Sequence, residues 1–172
     1  KICDEVAASD GRVRVIHKEK NGGASSARNL GTKSASGKYL YYMDSDDKID
    51  SDIFEKMYSA SRDASPTVVM FGAVEEYYDK TGKLYMTNPV SYESKALSGK
   101  ENVAKEVIKI ENTTLFGYLW NKIYLKDAVV SSGVTFCDMP LNEDFKFNID
   151  FFRYVDSMVI LDDTAYHYAK RD

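Results

Sequence analysis

Three carboxylates stand within four positions at Asp44-Ser45-Asp46-Asp47, directly after the run Lys38-Tyr39-Leu40-Tyr41-Tyr42-Met43. Carboxylates packed this closely repel one another unless a cation neutralises them. Alternate side chains share a face in extended backbone, so Asp44 and Asp46 can point one way while Ser45 points the other. Oxygen donors of this kind suit Mg²⁺ or Mn²⁺, which takes one or two protein carboxylates and completes its shell with phosphate and water. The chemistry implied is a divalent metal holding a phosphorylated ligand at the C-terminal end of a strand, where open α/β sheets bind ligands. The competing reading is a solvated acidic turn that caps the next helix.

Two further groups of residues could join such a site. Asn21-Gly22-Gly23 precedes Ala24-Ser25-Ser26-Ala27-Arg28-Asn29. Two glycines before a small-residue helix let backbone approach a ligand, and a helix N-terminus favours anions. Arg28 lies on the first turns of that helix, within reach of a nucleotide base or phosphate. Downstream, Asn142-Glu143-Asp144 puts adjacent acids at a helix start. They complement the helix dipole without any catalytic duty, and a carboxylate kept ionised there could also serve as a general base.

The elements that must carry these residues follow from periodicity and breakers. Residues 13–16 read as a short strand, 24–35 as a helix stopped by Gly37, and 39–43 as the next strand. Asp50-Ser51-Asp52 can cap a helix over 53–61 that turns Phe54, Met57 and Tyr58 to one face. Residues 67–74 form a β-rich run expected as one central strand, and Thr81-Gly82-Lys83 a hairpin tip. Ser98-Gly99-Lys100-Glu101 fits a capping box for a helix to about residue 109. Residues 126–132 suit a helix ended by Gly133, followed by a short strand at 134–136. Asn142 can cap a helix over 143–154 with Phe145, Ile149 and Phe152 inward. Strand-like segments at 157–161 and 165–169 close the chain. Strands alternating with helices imply an α/β fold with a mostly parallel sheet flanked by helices.

Composition bounds the function. A chain of 172 residues suits one domain with a real core. A net charge of −4 gives a nucleic-acid partner no electrostatic support. Cys3 and Cys137 are too few and too isolated for a disulfide framework or a zinc site, which points to a reducing compartment. No run approaches a membrane-spanning length, and no signal peptide is visible. The 13 tyrosines suit an aromatic core, or a groove for sugar rings.

In this order the motifs resemble the family 2 glycosyltransferases, inverting GT-A enzymes of bacterial surface-polysaccharide synthesis. The resemblance rests on Asn21-Gly22-Gly23 through Arg28-Asn29, Ser36-Gly37-Lys38-Tyr39 into Asp44-Ser45-Asp46-Asp47, Leu119-Trp120-Asn121-Lys122-Ile123-Tyr124, Asn142-Glu143-Asp144-Phe145, and Ala165-Tyr166-His167-Tyr168. It implies a Rossmann-like nucleotide-diphospho-sugar transferase domain over 1–172, with a nucleotide- and metal-binding part at 1–76 and an acceptor-side part at 77–172. Gly23, Arg28, Asp44 and Asp46 would bind the donor. Asp46 with Asp44 would hold Mn²⁺ or Mg²⁺, and Asp47 would support them. His167 is a candidate for the metal or diphosphate, against the plainer reading of a strand histidine among tyrosines. Asp144 would be the base, with Glu143 orienting the acceptor. Trp120, Asn121 and Lys122 would line the acceptor or diphosphate region, with a core role open for Trp120.

The implied reaction is a metal-dependent, hexosyltransferase-like transfer with inversion. A sugar passes from a nucleotide-diphosphate donor, UDP by resemblance only, to a hydroxyl of a growing saccharide or lipid-linked acceptor. The setting would be cytoplasmic, at the inner face of the membrane where the acceptor is lipid-linked, with peripheral membrane association. The family's N-terminal strand-helix-strand, which carries an Asp for the nucleotide base, has no counterpart here. A chain truncated in that way is expected to bind donor poorly, to be inactive or nearly so, and to self-associate through exposed sheet edges. The rival readings are a Mg²⁺-dependent phosphotransferase or phosphatase with an Asp-x-Asp nucleophile, and a non-catalytic carbohydrate- or protein-binding domain.

Overall fold

The computed structural model describes residues 1–171. In chain order the elements are α1 (Ile2–Ser9), α2 (Gly23–Ser34), β1 (Tyr39–Tyr41), β2 (Lys48–Ile49), α3 (Ile53–Arg62), β3 (Val68–Met70), β4 (Ala73–Tyr78) and β5 (Leu84–Val90). Then come β6 (Lys95–Ser98), α4 (Lys100–Glu111), β7 (Lys122–Leu125), α5 (Lys126–Ser132), α6 (Glu143–Phe152), β8 (Ser157–Ile160) and β9 (Tyr166–Arg171). They build a five-stranded sheet of order β1-β7-β3-β8-β6 and a four-stranded sheet of order β2-β9-β4-β5.

The α/β class holds, but the sheets are mixed and not mostly parallel. Only β3/β8 and β4/β9 pair in parallel. The helical crossover from β1 through α3 to β3 does leave those two strands running the same way, as a crossover requires. However, β7 inserts between them and is antiparallel to both. The β4–β5 hairpin is antiparallel because its turn is short. Asp79 closes that turn by accepting from the Thr81 and Lys83 backbone N–H groups. The expected boundary at 76/77 falls inside β4, and both sheets draw strands from either side of it.

The run expected as one central strand is two, β3 and β4, divided at Phe71-Gly72 where the chain passes from one sheet to the other. Only glycine fits this step: a Cβ there would lie 2.3 Å from the Val90 carbonyl oxygen. Other local expectations shift for definable reasons. Residues 13–16 are not a strand, because no strand among the described residues pairs with them. In α3 the buried stripe is Ile53, Met57 and Ser61, an i, i+4, i+8 set. Phe54 and Tyr58 fall one residue further round and are 54% and 66% exposed. The capping box does not form: Gly99 takes φ 88° at the N-cap, and Asn102 Nδ2 instead donates to the Ser98 carbonyl at 2.8 Å.

On α6 the buried residues are Phe147, Asn148 and Phe151, while Ile149 faces solvent and Phe145 and Phe152 are half-buried against Phe116. Asn148 fixes this rotation. Its amide nitrogen donates to the carbonyls of Phe116, Gly117 and Tyr118, and its oxygen accepts from the Tyr124 hydroxyl at 2.8 Å. Tyr124, Phe147, Phe151 and Phe136 then form an aromatic core beneath the first sheet.

One buried acid ties α4 to β6 and to the connection just before it. Glu106 accepts from the Tyr92 hydroxyl at 2.7 Å, from Lys95 at 2.9 Å and from Lys109 at 3.1 Å. These bonds, Lys95 foremost, hold its pKa down at about 2. A depressed carboxylate contributes stability above its unfolded pKa of about 4.3, lost as pH falls towards 2. Glu106→Gln should therefore lower the melting temperature at pH 7, and the gap to wild type should close on acidification to about pH 2. A gap unchanged across that range in thermal melts would refute this account.

Candidate active site

Arg28 joins the three sequence motifs in one place. From α2, its Nη1 donates to Glu143 Oε1 at 2.6 Å and its Nη2 to Asp44 Oδ1 at 3.2 Å. The guanidinium also lies 5.7 Å from the Phe136 ring centroid. A planar guanidinium offers several donors in a fixed fork, so one side chain can bind two acids brought from distant segments. The helix that carries it is docked by its own polar residues. Ser25 Oγ donates to the Cys137 carbonyl at 2.6 Å, and the Asn29 amide exchanges two hydrogen bonds with the Phe136 backbone. Those bonds explain why 134–136 is not a strand: the Phe136 backbone groups that a ladder would use bond a side chain instead. Gly23 stands at the start of α2 with φ 75°, a left-handed conformation that favours glycine, and leaves open space at that helix end.

The acid cluster does not need a cation to exist. Each carboxylate has its own partner: Asp44 has Arg28, Asp46 has Arg171 Nη1 at 3.0 Å, and Asp47 accepts from the Tyr166 hydroxyl at 2.6 Å and the Ala169 N–H at 3.0 Å. Asp47 is turned inward. Burial raises its pKa, with Asp46 and Asp44 adding to the rise and the bonds from Tyr166 and Ala169 opposing it. It anchors the turn to β9. The side chains of Asp44 and Asp46 remain 42% and 61% exposed and available to a ligand.

Asp144 sits half-buried at the start of α6 and accepts from the Phe145 N–H at 2.7 Å. The helix N-terminus was expected to keep it ionised, but burial, with the charge of Glu143 adding, raises its pKa against the opposing pull of the Phe145 N–H and Arg28. Asn142 does not cap the helix with its side chain and takes φ 63°. Beside Asp144 lies a cavity of about 330 Å³ walled by Glu111, Thr114, Gly117, Tyr118, Asn142 and Phe145. Tyr118 is an aromatic wall of that cavity that the sequence did not single out.

The residues expected on the acceptor side lie behind that wall. Trp120 is buried between Tyr118, at 4.4 Å between ring centroids, and Tyr166, at 4.2 Å, so its core reading holds. Asn121 and Lys122 are wholly buried and bond to backbone carbonyls, and they line none of the cavity. The family resemblance places them on the acceptor side; their partners are instead carbonyls of the chain just before them. His167 uses both ring nitrogens within the protein, on Glu76 Oε1 at 2.9 Å and Asp50 Oδ1 at 3.2 Å. Burial alone would lower its pKa, but the two carboxylates outweigh it and raise it. It borders a second cavity of about 440 Å³ together with Asp46, Lys48 and Arg171. Among the described residues no group of three or more His, Cys, Asp or Glu is arranged to hold a metal by itself.

The Glycosyl transferase family 2 model matches residues 1–129. The chain belongs to glycosyl transferase family 2. Among relatives of this family 2 chain, the uncharacterized glycosyltransferase EpsJ of Bacillus subtilis is 29% identical over 170 residues, covering 98% of this chain and 48% of the relative. The putative glycosyltransferase EpsH of the same organism is 31% identical over 144 residues, covering 78% of this chain and 37% of the relative. The family 2 chain thus spans about half the length, or less, of these curated relatives. Its fold is similar to that of S. aureus TarS residues 1–349, with TM-score 0.71 at 17% identity over 98% of this chain and 48% of that one. The same TarS segment in complex with UDP-GlcNAc gives 0.66 at 20% identity, covering 92% and 42%. At such identities the likeness establishes the GT-A type of fold that the motifs implied. Among the described residues of the family 2 chain, no helix is long and apolar enough to cross a membrane.

Proposed function

We propose that this chain forms part of an inverting, metal-dependent glycosyltransferase that moves a sugar from a UDP-sugar to a hydroxyl of a saccharide or lipid-linked acceptor in cell-surface polysaccharide synthesis. The observation that carries this reading is the Arg28 bridge, because it unites an acid of the Asp-x-Asp turn with the Glu-Asp pair of α6. The complexes of TarS with UDP-GlcNAc and UDP favour a uridine nucleotide as donor.

In this reading Asp144 takes the proton from the acceptor hydroxyl as that oxygen attacks the anomeric carbon. The new C–O bond forms on the face opposite the nucleotide, the bond to the diphosphate breaks, and the configuration inverts. Glu143, held by Arg28, orients the acceptor, and Arg28 places its positive charge between the donor and acceptor acids. Asp44 and Asp46 fit Mn²⁺ or Mg²⁺, since they are exposed, oxygen-only donors in number suited to an ion that keeps phosphate and water in its shell. When bound, the ion would supply charge neutralisation for the leaving diphosphate.

Isothermal titration of UDP into the full-length protein tests the donor side. Saturable binding in Mn²⁺ that disappears in EDTA is the expected result. Equal binding in both conditions would sink the metal dependence, and no binding in either would sink the donor assignment.

A further inference from the structure

Lys122 is the one wholly buried lysine among the described residues, and the reaction above gives it no task. Its Nζ donates to the carbonyl oxygens of Leu115 at 2.9 Å, Phe116 at 3.0 Å and Tyr118 at 2.6 Å, and to Asn121 Oδ1 at 2.7 Å. A neutral amine has two N–H donors and a lone pair, which four oxygens in reach would oppose. An ammonium has three donors and a charge that those dipoles stabilise. The geometry therefore describes a buried cation solvated by the 115–121 segment. Asn121 Nδ2 adds a second bond to the Leu115 carbonyl at 3.0 Å, and Asn148 binds the carbonyls of Phe116, Gly117 and Tyr118 from α6. That segment carries Gly117 and Tyr118, two walls of the cavity beside Asp144.

We infer that Lys122 is a positioning residue of the acceptor side: its Nζ folds the 115–121 segment into the wall of the cavity beside Asp144. The inference rests on Asp144 being the base. Burial pushes the pKa of the Lys122 amine well down, and the negative fields of Asp144 and Glu111 oppose that shift, as do the four oxygens around Nζ. Removing the amine leaves three carbonyls without their shared donor.

The experiment is transfer kinetics and UDP titration on the full-length protein as wild type, Lys122→Met and Asn121→Ala. Lys122→Met should raise the acceptor KM several-fold while UDP affinity stays within a factor of two. Asn121→Ala removes one acceptor of Nζ and one donor to the Leu115 carbonyl, so it should raise the acceptor KM in the same sense by a smaller factor. It supplies the answer if the Met variant does not fold. An acceptor KM at the wild-type value in a folded variant overturns the inference. If Asp144→Asn transfers sugar normally, it is the base assignment that fails, whatever the acceptor KM shows.

Discussion

In the full-length protein Asp144→Asn should cut transfer by about 10²- to 10⁴-fold, the usual contribution of a positioned general base, while leaving UDP affinity unchanged. The substitution is nearly isosteric, and the Asn oxygen can still accept from the Phe145 N–H that Asp144 uses now. What it removes is the proton acceptor alone. The pH dependence carries a second, independent expectation. Burial first, and Glu143 second, raise the pKa of Asp144 above the ordinary aspartate value. A base must be deprotonated to act, so kcat/KM in wild type should fall on acidification through a midpoint above the ordinary aspartate range. The stability sign is the reverse of the usual carboxylate case. The folded state binds its proton more tightly than the unfolded state, so this group's contribution to stability falls as pH rises from the unfolded pKa through the raised folded one. Asparagine has no charge to desolvate. Asp144→Asn should accordingly melt at a slightly higher temperature than wild type at pH 7, the common trade between stability and a strained functional group. Normal transfer by this variant, measured as product formed per enzyme in the first minutes, would remove Asp144 from the mechanism.

What could be read in the sequence was what is local. The alternation of apolar and small residues gave β1, α2 and α5 nearly to the residue, and Thr81-Gly82-Lys83 gave the hairpin because Asp79 closes it within five residues. The ordered motifs gave the family. The partners of the acids were not legible, because Arg171 reaches Asp46 across 125 positions and Tyr166 reaches Asp47 across 119. Nothing near Asp44 announces that arginines and a tyrosine answer its cluster's charges. The facing of α6 was misread for a related reason. An apolar stripe through Phe145, Ile149 and Phe152 is as good a helical pattern as the real one, and it lost because Asn148 has four partners waiting inside. Lys122 and Asn121 repeat the lesson: the resemblance implies contact with a ligand, whereas tertiary structure uses them to hold the wall of the cavity. Strand direction failed at β7, an insertion between two strands that do run the same way, and again at β2 and β6, which run antiparallel to β9 and β8.

Arg28→Met should be the most damaging single change outside Asp144, lowering kcat/KM by about 10²-fold or more and weakening UDP binding as well. The arginine is four-fifths buried and holds two acids, Asp44 at 3.2 Å and Glu143 at 2.6 Å. Breaking a buried charge pair by truncating one partner costs about 3–5 kcal/mol, much of it from the charge left alone; the Glu143 arm approaches that scale, whereas solvent screens most of it at the 42% exposed Asp44. Here two carboxylates lose a shared counter-charge at once. Arg28→Lys should rescue only part of this, since one ammonium on a flexible stem lacks the planar fork that reaches both acids. The effect should also be strongly non-additive with the change of an acid partner. In Arg28→Met the carboxylate of Glu143 is already unpaired, so adding Glu143→Gln should cost little more and can restore folding stability by removing that charge. A double-mutant cycle read in kcat/KM and in melting temperature measures this coupling. Additive losses from Arg28→Met and Glu143→Gln would mean that the two residues act apart, and that the bridge between the donor and acceptor acids has no role in the reaction.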